Sequence, residues 1–139
     1  MKLPVEIALK EYGNEAYPGN ENNPDVMKYF TETGKQFVHD DETPWCAAFL
    51  NWVMQKSNVA TKNQLNARSF LEMGVETNTP VIGDVVVFWR VTPDSWQGHC
   101  GLYIKESKKL IWVLGGNQDS SVKIKPFPKE QLLGYRTYI

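Results

Sequence analysis

The sequence predicts an α+β fold in which N-terminal helices pack against a C-terminal antiparallel β-sheet, and two observations carry that expectation. Apolar residues at helical spacing, with recognisable caps, occupy the chain as far as Gly74; after Pro80, segments rich in β-branched and aromatic residues recur between short turns. A third observation bounds the size: 139 residues with 42% hydrophobic content suit one domain, residues 1–139, able to bury most of its apolar surface without staples.

Taken in order, residues 4–11 form a short helix that Gly13 stops, and Asn23-Pro24 caps a second helix running through Phe30, with Gly34 at its end. Between them, Tyr17-Pro18-Gly19-Asn20-Glu21-Asn22-Asn23-Pro24 is dense in turn formers and reads as a polar loop. Thr43 and Pro44 read as the N-cap and first residue of a third helix, whose Cys46, Phe49, Leu50, Val53 and Met54 make one apolar stripe. A further helix spans residues 67–73 and closes at Gly74. Strands follow at 85–91, 99–105, 110–114, 122–125 and 135–139.

Charge narrows the partners. Fifteen basic against sixteen acidic residues, without a long run of either sign, leave no electrostatic footprint for nucleic acid or anionic lipid. The N-terminus lacks the apolar stretch of a signal peptide and no segment is long enough to span a bilayer, so synthesis in the cytoplasm and no membrane association are expected. Two cysteines, Cys46 and Cys100, are expected to be free thiols, as is usual in a reducing compartment.

Cys46 is the most chemically pointed residue. In the opening turn of a helix, unpaired N–H groups and the positive end of the dipole stabilise a thiolate and lower its pKa. A hairpin centred on Lys108 then brings His99 directly opposite Asn117 with side chains on one face. An Asn oxygen accepting the imidazole N–H fixes the tautomer and frees the other nitrogen for the thiol proton. A slip by one residue, through a bulge at Gly115-Gly116, would put Gln118 opposite His99 instead. Strand alternation then turns Cys100 away from Cys46, which argues against a disulfide, against Cys100 as nucleophile and against a zinc site. His39 is the remaining imidazole, so no metal or other cofactor is expected.

Each residue alone has a plain structural reading: a buried thiol, a strand histidine, a turn asparagine. Their joint occurrence in register favours catalysis by Cys46, His99 and Asn117. Trp96, in the loop just before His99, is a candidate rim for substrate; Trp45 and Gln118 are weaker candidates for substrate contact. Asp40, Asp41 and Glu42 favour the helix N-terminus by their charge.

Trp45-Cys46-Ala47-Ala48-Phe49, Gly83-Asp84-Val85-Val86-Val87-Phe88, Gly98-His99-Cys100-Gly101 and Gly115-Gly116-Asn117-Gln118 resemble the CHAP and NlpC/P60 cysteine peptidase superfamily. The resemblance covers most of the chain from about residue 41 onward, and residues 15–23 are also similar to a small phage-lysin-related branch. Trp45 stands where many NlpC/P60 members carry aspartate, and an aromatic residue at that position is closer to CHAP.

The resemblance implies a papain-like fold, and a length of 139 residues is expected to hold a single catalytic domain without a separate wall-binding module. It implies Cys46 as nucleophile, His99 as base and Asn117 as orienting group, with peptidoglycan as substrate, cut within the stem peptide or at the glycan–peptide junction. The oxyanion would rest on the Cys46 backbone N–H and a second donor. It further implies a protein that reaches the cell wall after release or by specialised secretion, as an endolysin or an antibacterial effector, the latter with an immunity protein as partner; a monomer is expected. A cysteine protease or acyltransferase acting on protein would share the same three residues, and a non-catalytic binding module on the same fold would need none of their chemistry.

Overall fold

The computed structural model describes residues 2–18, 21–39 and 44–138. Helix α1 (Leu3–Lys10) carries Pro4 in its first turn, where a missing N–H costs nothing. Helix α2 (Pro24–Thr31) starts as its sequence dictates: Pro24 opens it and the Asn23 side chain accepts a hydrogen bond from Asp25 N. Helix α3 (Cys46–Lys56) starts at Cys46 rather than Pro44, with Trp45 as its N-cap and no side-chain cap. The expected cap Thr43 and the acidic residues Asp40, Asp41 and Glu42 lie outside the described residues.

A single apolar stripe on α3 proves too narrow an expectation, because every residue from Cys46 to Met54 is buried. The helix is enclosed, with the sheet on one side and α1 and α2 on the other. The helix expected at 67–73 is the 3-10 helix Ala67–Glu72, capped by Asn66.

Six strands form one sheet in the order β1-β6-β2-β3-β4-β5, with every pair antiparallel: β1 (Val75–Thr77), β2 (Val85–Trp89), β3 (Gly98–Glu106), β4 (Leu110–Gln118), β5 (Ser121–Pro128) and β6 (Leu132–Thr137). Five of them correspond to the segments read from the sequence. The sixth, β1, is three residues long and pairs with β6 at the sheet edge. Strand β2 ends at Trp89, so Arg90 and Val91 belong to the following loop.

Alternation along the strands separates two apolar clusters. Val85, Val87, Cys100, Leu102 and Leu114 pack with the helices, whereas Val86, Phe88, Tyr103, Ile111, Val113 and Tyr135 pack on the opposite face. The α+β architecture expected from the sequence is therefore the one observed.

Candidate active site

Cys46 is the first residue of α3, where the backbone N–H groups of the opening turn have no partner within the helix. Trp45 anchors that tip. It is 0% exposed, stacks on Tyr29 with ring centroids 5.7 Å apart, and packs so closely on Gly116 that a Cβ there would lie 2.9 Å from its Cε3. Trp45 offers no surface to a ligand, so the contact with substrate expected of it is replaced by a packing role that fixes where Cys46 sits.

His99 lies near the start of β3, buried, with its ring stacked on Phe127 at 4.7 Å between centroids. Its Nε2 is 2.9 Å from Gln118 Oε1. The amide orientation is set by its other end, since Gln118 Nε2 donates to Val113 O at 3.0 Å and Lys123 O at 2.7 Å. Two carbonyl acceptors require the NH2 group there, which turns the oxygen toward the imidazole. His99 therefore carries its proton on Nε2 and donates it to Gln118, leaving Nδ1 for the thiol.

Gln118, and not Asn117, is thus the hydrogen-bond partner of His99. The expected register holds along part of the hairpin, with Tyr103 opposite Val113 and Leu102 opposite Leu114. What changes the outcome is the backbone beyond it. Asn117 adopts φ 55, and the β4–β5 pairing is irregular between Gly115 and Gln118. This left-handed residue, a conformation asparagine tolerates, turns the next side chain toward His99. Gly115 leaves the space it needs, because a Cβ at that position would lie 2.5 Å from Gln118 Oε1. Asn117 itself lines the cavity beside His99. The amide of Gln118 has both ends engaged within the protein.

Cys100 departs most from expectation. It is fully buried in the same apolar cluster as Cys46 and lies beside the Cys46 sulfur. The sulfur at the helix tip neighbours consecutive residues of β3, Cys100 and His99. Both cysteines are free thiols. The thiol hydrogen bond from Cys100, followed by that from His99 and the His99 charge, holds the Cys46 pKa well below the ordinary thiol range. Burial, together with the neighbouring Cys46, pushes Cys100 well above it. Of the two thiols, Cys46 is therefore the one disposed to lose its proton and Cys100 the one disposed to keep it.

Two cavities flank this centre. One, of about 360 Å3, is lined by His99, Asn117, Gln118, Phe127, Arg90 and Val91 among others. The second, of about 280 Å3, is lined by Cys46, Asn66, Ala67, Trp96, Arg90 and Val91 among others. Trp96 is 72% exposed on this rim, the position expected of it. Its loop is clamped by Arg68, which donates from Nε to Gln97 O at 2.9 Å, from Nη1 to Pro93 O at 2.9 Å, and from Nη2 to Thr92 O at 3.1 Å and Ser95 Oγ at 3.3 Å. Gly98 belongs to the same arrangement, since a Cβ there would meet Phe88 O at 2.7 Å and Arg68 Cγ at 3.2 Å. Arg68 and Cys100 carry no pattern in the sequence that marks these roles. Among the described residues, no three His, Cys, Asp or Glu side chains are grouped as metal ligands.

No protein-family profile matches the chain, and no curated protein matches it in sequence. Among solved structures it is similar to a lipoprotein-like protein of the NLP/P60 family from Staphylococcus aureus, with a TM-score of 0.56 at 15% sequence identity. The likeness covers 99% of this chain but only 41% of that one, and it bears on the fold.

Proposed function

We propose that this protein is a peptidoglycan hydrolase that cleaves an amide bond of the stem peptide or the glycan–peptide junction through a thioester acyl-enzyme. The observation that carries the reading is the linear chain of contacts Cys46, His99, Gln118, in which a glutamine of fixed orientation dictates the imidazole tautomer. A core histidine satisfied for stability alone needs no thiolate at its free nitrogen. The family name of the structural neighbour supports the class of enzyme.

The mechanism follows from the atoms. Cys46 Sγ attacks the amide carbonyl carbon, and the oxyanion develops beside the backbone N–H of Cys46 at the start of α3. His99 Nδ1, having accepted the thiol proton, passes it to the leaving amine. A water then loses a proton to Nδ1 and attacks the thioester, restoring the thiol and releasing the carboxylic acid. Gln118 holds the ring in place by accepting from Nε2 throughout, and Cys100 keeps its proton and donates to the sulfur. Two cavities, one lined by His99 and the other by Cys46, with Arg90 and Val91 in the walls of both, would offer surface to substrate on more than one side of the reacting bond. Such an enzyme works at the bacterial cell wall, as a lysin or as a secreted effector.

The test is digestion of isolated peptidoglycan by the wild type and Cys46→Ala, with mass spectrometry of released fragments. Products formed only by the wild type support the reading, and their new termini identify the bond. An inert wild type whose Cys46 still alkylates rapidly points to a protein substrate, and one whose Cys46 reacts like an ordinary thiol points to a binding module.

A further inference from the structure

The loop between β2 and β3 is built unlike an ordinary surface connection. Val91 has φ 71, a conformation that a β-branched residue avoids. Thr92 N donates to Arg90 O at 2.9 Å across it, closing a three-residue γ-turn with Val91 at its centre. Arg90 N donates to Gln97 O at 3.1 Å, and Ser95 Oγ donates to Arg90 O at 2.6 Å. Together with the Arg68 clamp, these bonds turn the loop's carbonyls inward. Strain at a non-glycine residue persists only where the surroundings over-determine it, and such residues concentrate at ligand sites.

What the strained turn fixes is the position of Arg90. Its exposed side chain belongs to the walls of both cavities, the one beside His99 and the one beside Cys46. Among the described residues its guanidinium has no ion-pair or hydrogen-bond partner. Asp119, the carboxylate that lines the cavity beside His99, is bound by Lys123 and Lys125. An always-charged fork with no partner among the described residues, beside an electrophile-binding site, is suited to a planar anion. Val91 and Trp96 add apolar surface on the same rim, each 72% exposed.

We propose that Arg90 is a specificity-determining residue that binds a carboxylate of the substrate flanking the scissile amide, with Arg68 as the positioning residue that holds its loop. This deepens the hydrolase reading and rests on it for the identity of the substrate, a peptide bearing a free carboxylate rather than the corresponding carboxamide.

Two measurements test it, and the first does not depend on hydrolysis. Alkylation rates of Cys46 are compared for iodoacetate and iodoacetamide, which differ in charge at nearly equal size. In Cys100→Val, which leaves Cys46 as the one thiol, the iodoacetate-to-iodoacetamide rate ratio should fall about threefold or more on adding Arg90→Ala, and further with Arg90→Glu. Arg90→Lys should retain most of it. The second measurement compares hydrolysis of stem-peptide fragments carrying a free carboxylate or a carboxamide beside the cleaved bond. The wild type should favour the carboxylate through KM, and Arg90→Ala should lose that preference. An alkylation ratio unmoved by Arg90→Ala, or equal KM values for the two fragments in the wild type, overturns the proposal. An absence of any peptidoglycan cleavage with the alkylation ratio intact overturns the hydrolase reading but leaves the anion site supported.

Discussion

Replacing Gln118 by leucine preserves approximate size and removes both ends of the amide. Three groups then lose a partner: His99 Nε2, Val113 O and Lys123 O. At roughly 1 kcal/mol each, the low end for buried polar groups left unsatisfied, the loss of stability is about 3 kcal/mol. For a chain of this length that lowers Tm by about 10 °C. The chemical effect is separate. Without an acceptor at Nε2 the imidazole loses its preference for the tautomer with Nδ1 free, and a loss of about 100-fold in kcat/KM is expected, within the range of general acid–base catalysis. Asn117→Ala serves as the comparison. It forces alanine into the left-handed region at φ 55, costing about 1 kcal/mol, and leaves the His99 partner in place. Its kcat/KM should remain within a factor of about 3 of the wild type. Thermal melts with fragment-release kinetics on both variants read the two effects independently. If Asn117→Ala loses as much activity as Gln118→Leu, or if folded Gln118→Leu keeps full kcat/KM, the tautomer argument is refuted.

Other outcomes follow from the same geometry. Cys100→Val removes the thiol donor to Cys46 while keeping the backbone N–H, so the pH at which Cys46 alkylation by iodoacetamide half-develops should move upward; no movement would dismiss Cys100 as a thiolate-stabilising group. The pair also links stability to pH. Cys46, depressed in the fold, adds stability as pH rises from its folded pKa to the ordinary thiol range, because there the unfolded chain holds the extra proton. Above that range Cys100, still protonated in the fold, reverses the slope. Urea melts across neutral to alkaline pH should therefore show a maximum, and the maximum should flatten in Cys46→Ala. Gly116→Ala sets a Cβ 2.7 Å from Phe49 Cβ and should cost about 1–3 kcal/mol of overpacking, measured by the same melts.

How much of this was legible in the sequence depended on whether local chemistry or tertiary packing decided the feature. Asn23-Pro24 made α2 readable because the cap and the proline act within one turn. The β-branched runs made five strands readable because pleated surfaces favour them, whereas β1 is too short and too exposed to leave a pattern. The start of α3 moved to Cys46 because Trp45 is locked by Tyr29 and Gly116, a contact between distant segments. At the site, the positions of Cys46 at a helix tip and His99 near the start of a strand were legible from local pattern. Asn117 was preferred to Gln118 because extended-strand alternation assumes regular φ, and the left-handed Asn117 breaks it. Cys100 was set aside by the same rule, which treats a strand as seen from its face. The sulfur at the helix tip neighbours residues of β3 that are consecutive in sequence.

The central claim is that Cys46 becomes covalently acylated during turnover. Acid quenching of the wild type with a soluble stem-peptide fragment, followed by peptide mapping, measures it directly. The account predicts an acyl group on Cys46 whose mass matches the fragment on the carbonyl side of the cleaved bond, absent when the substrate is omitted. Product released at an undiminished rate by Cys46→Ala would contradict it.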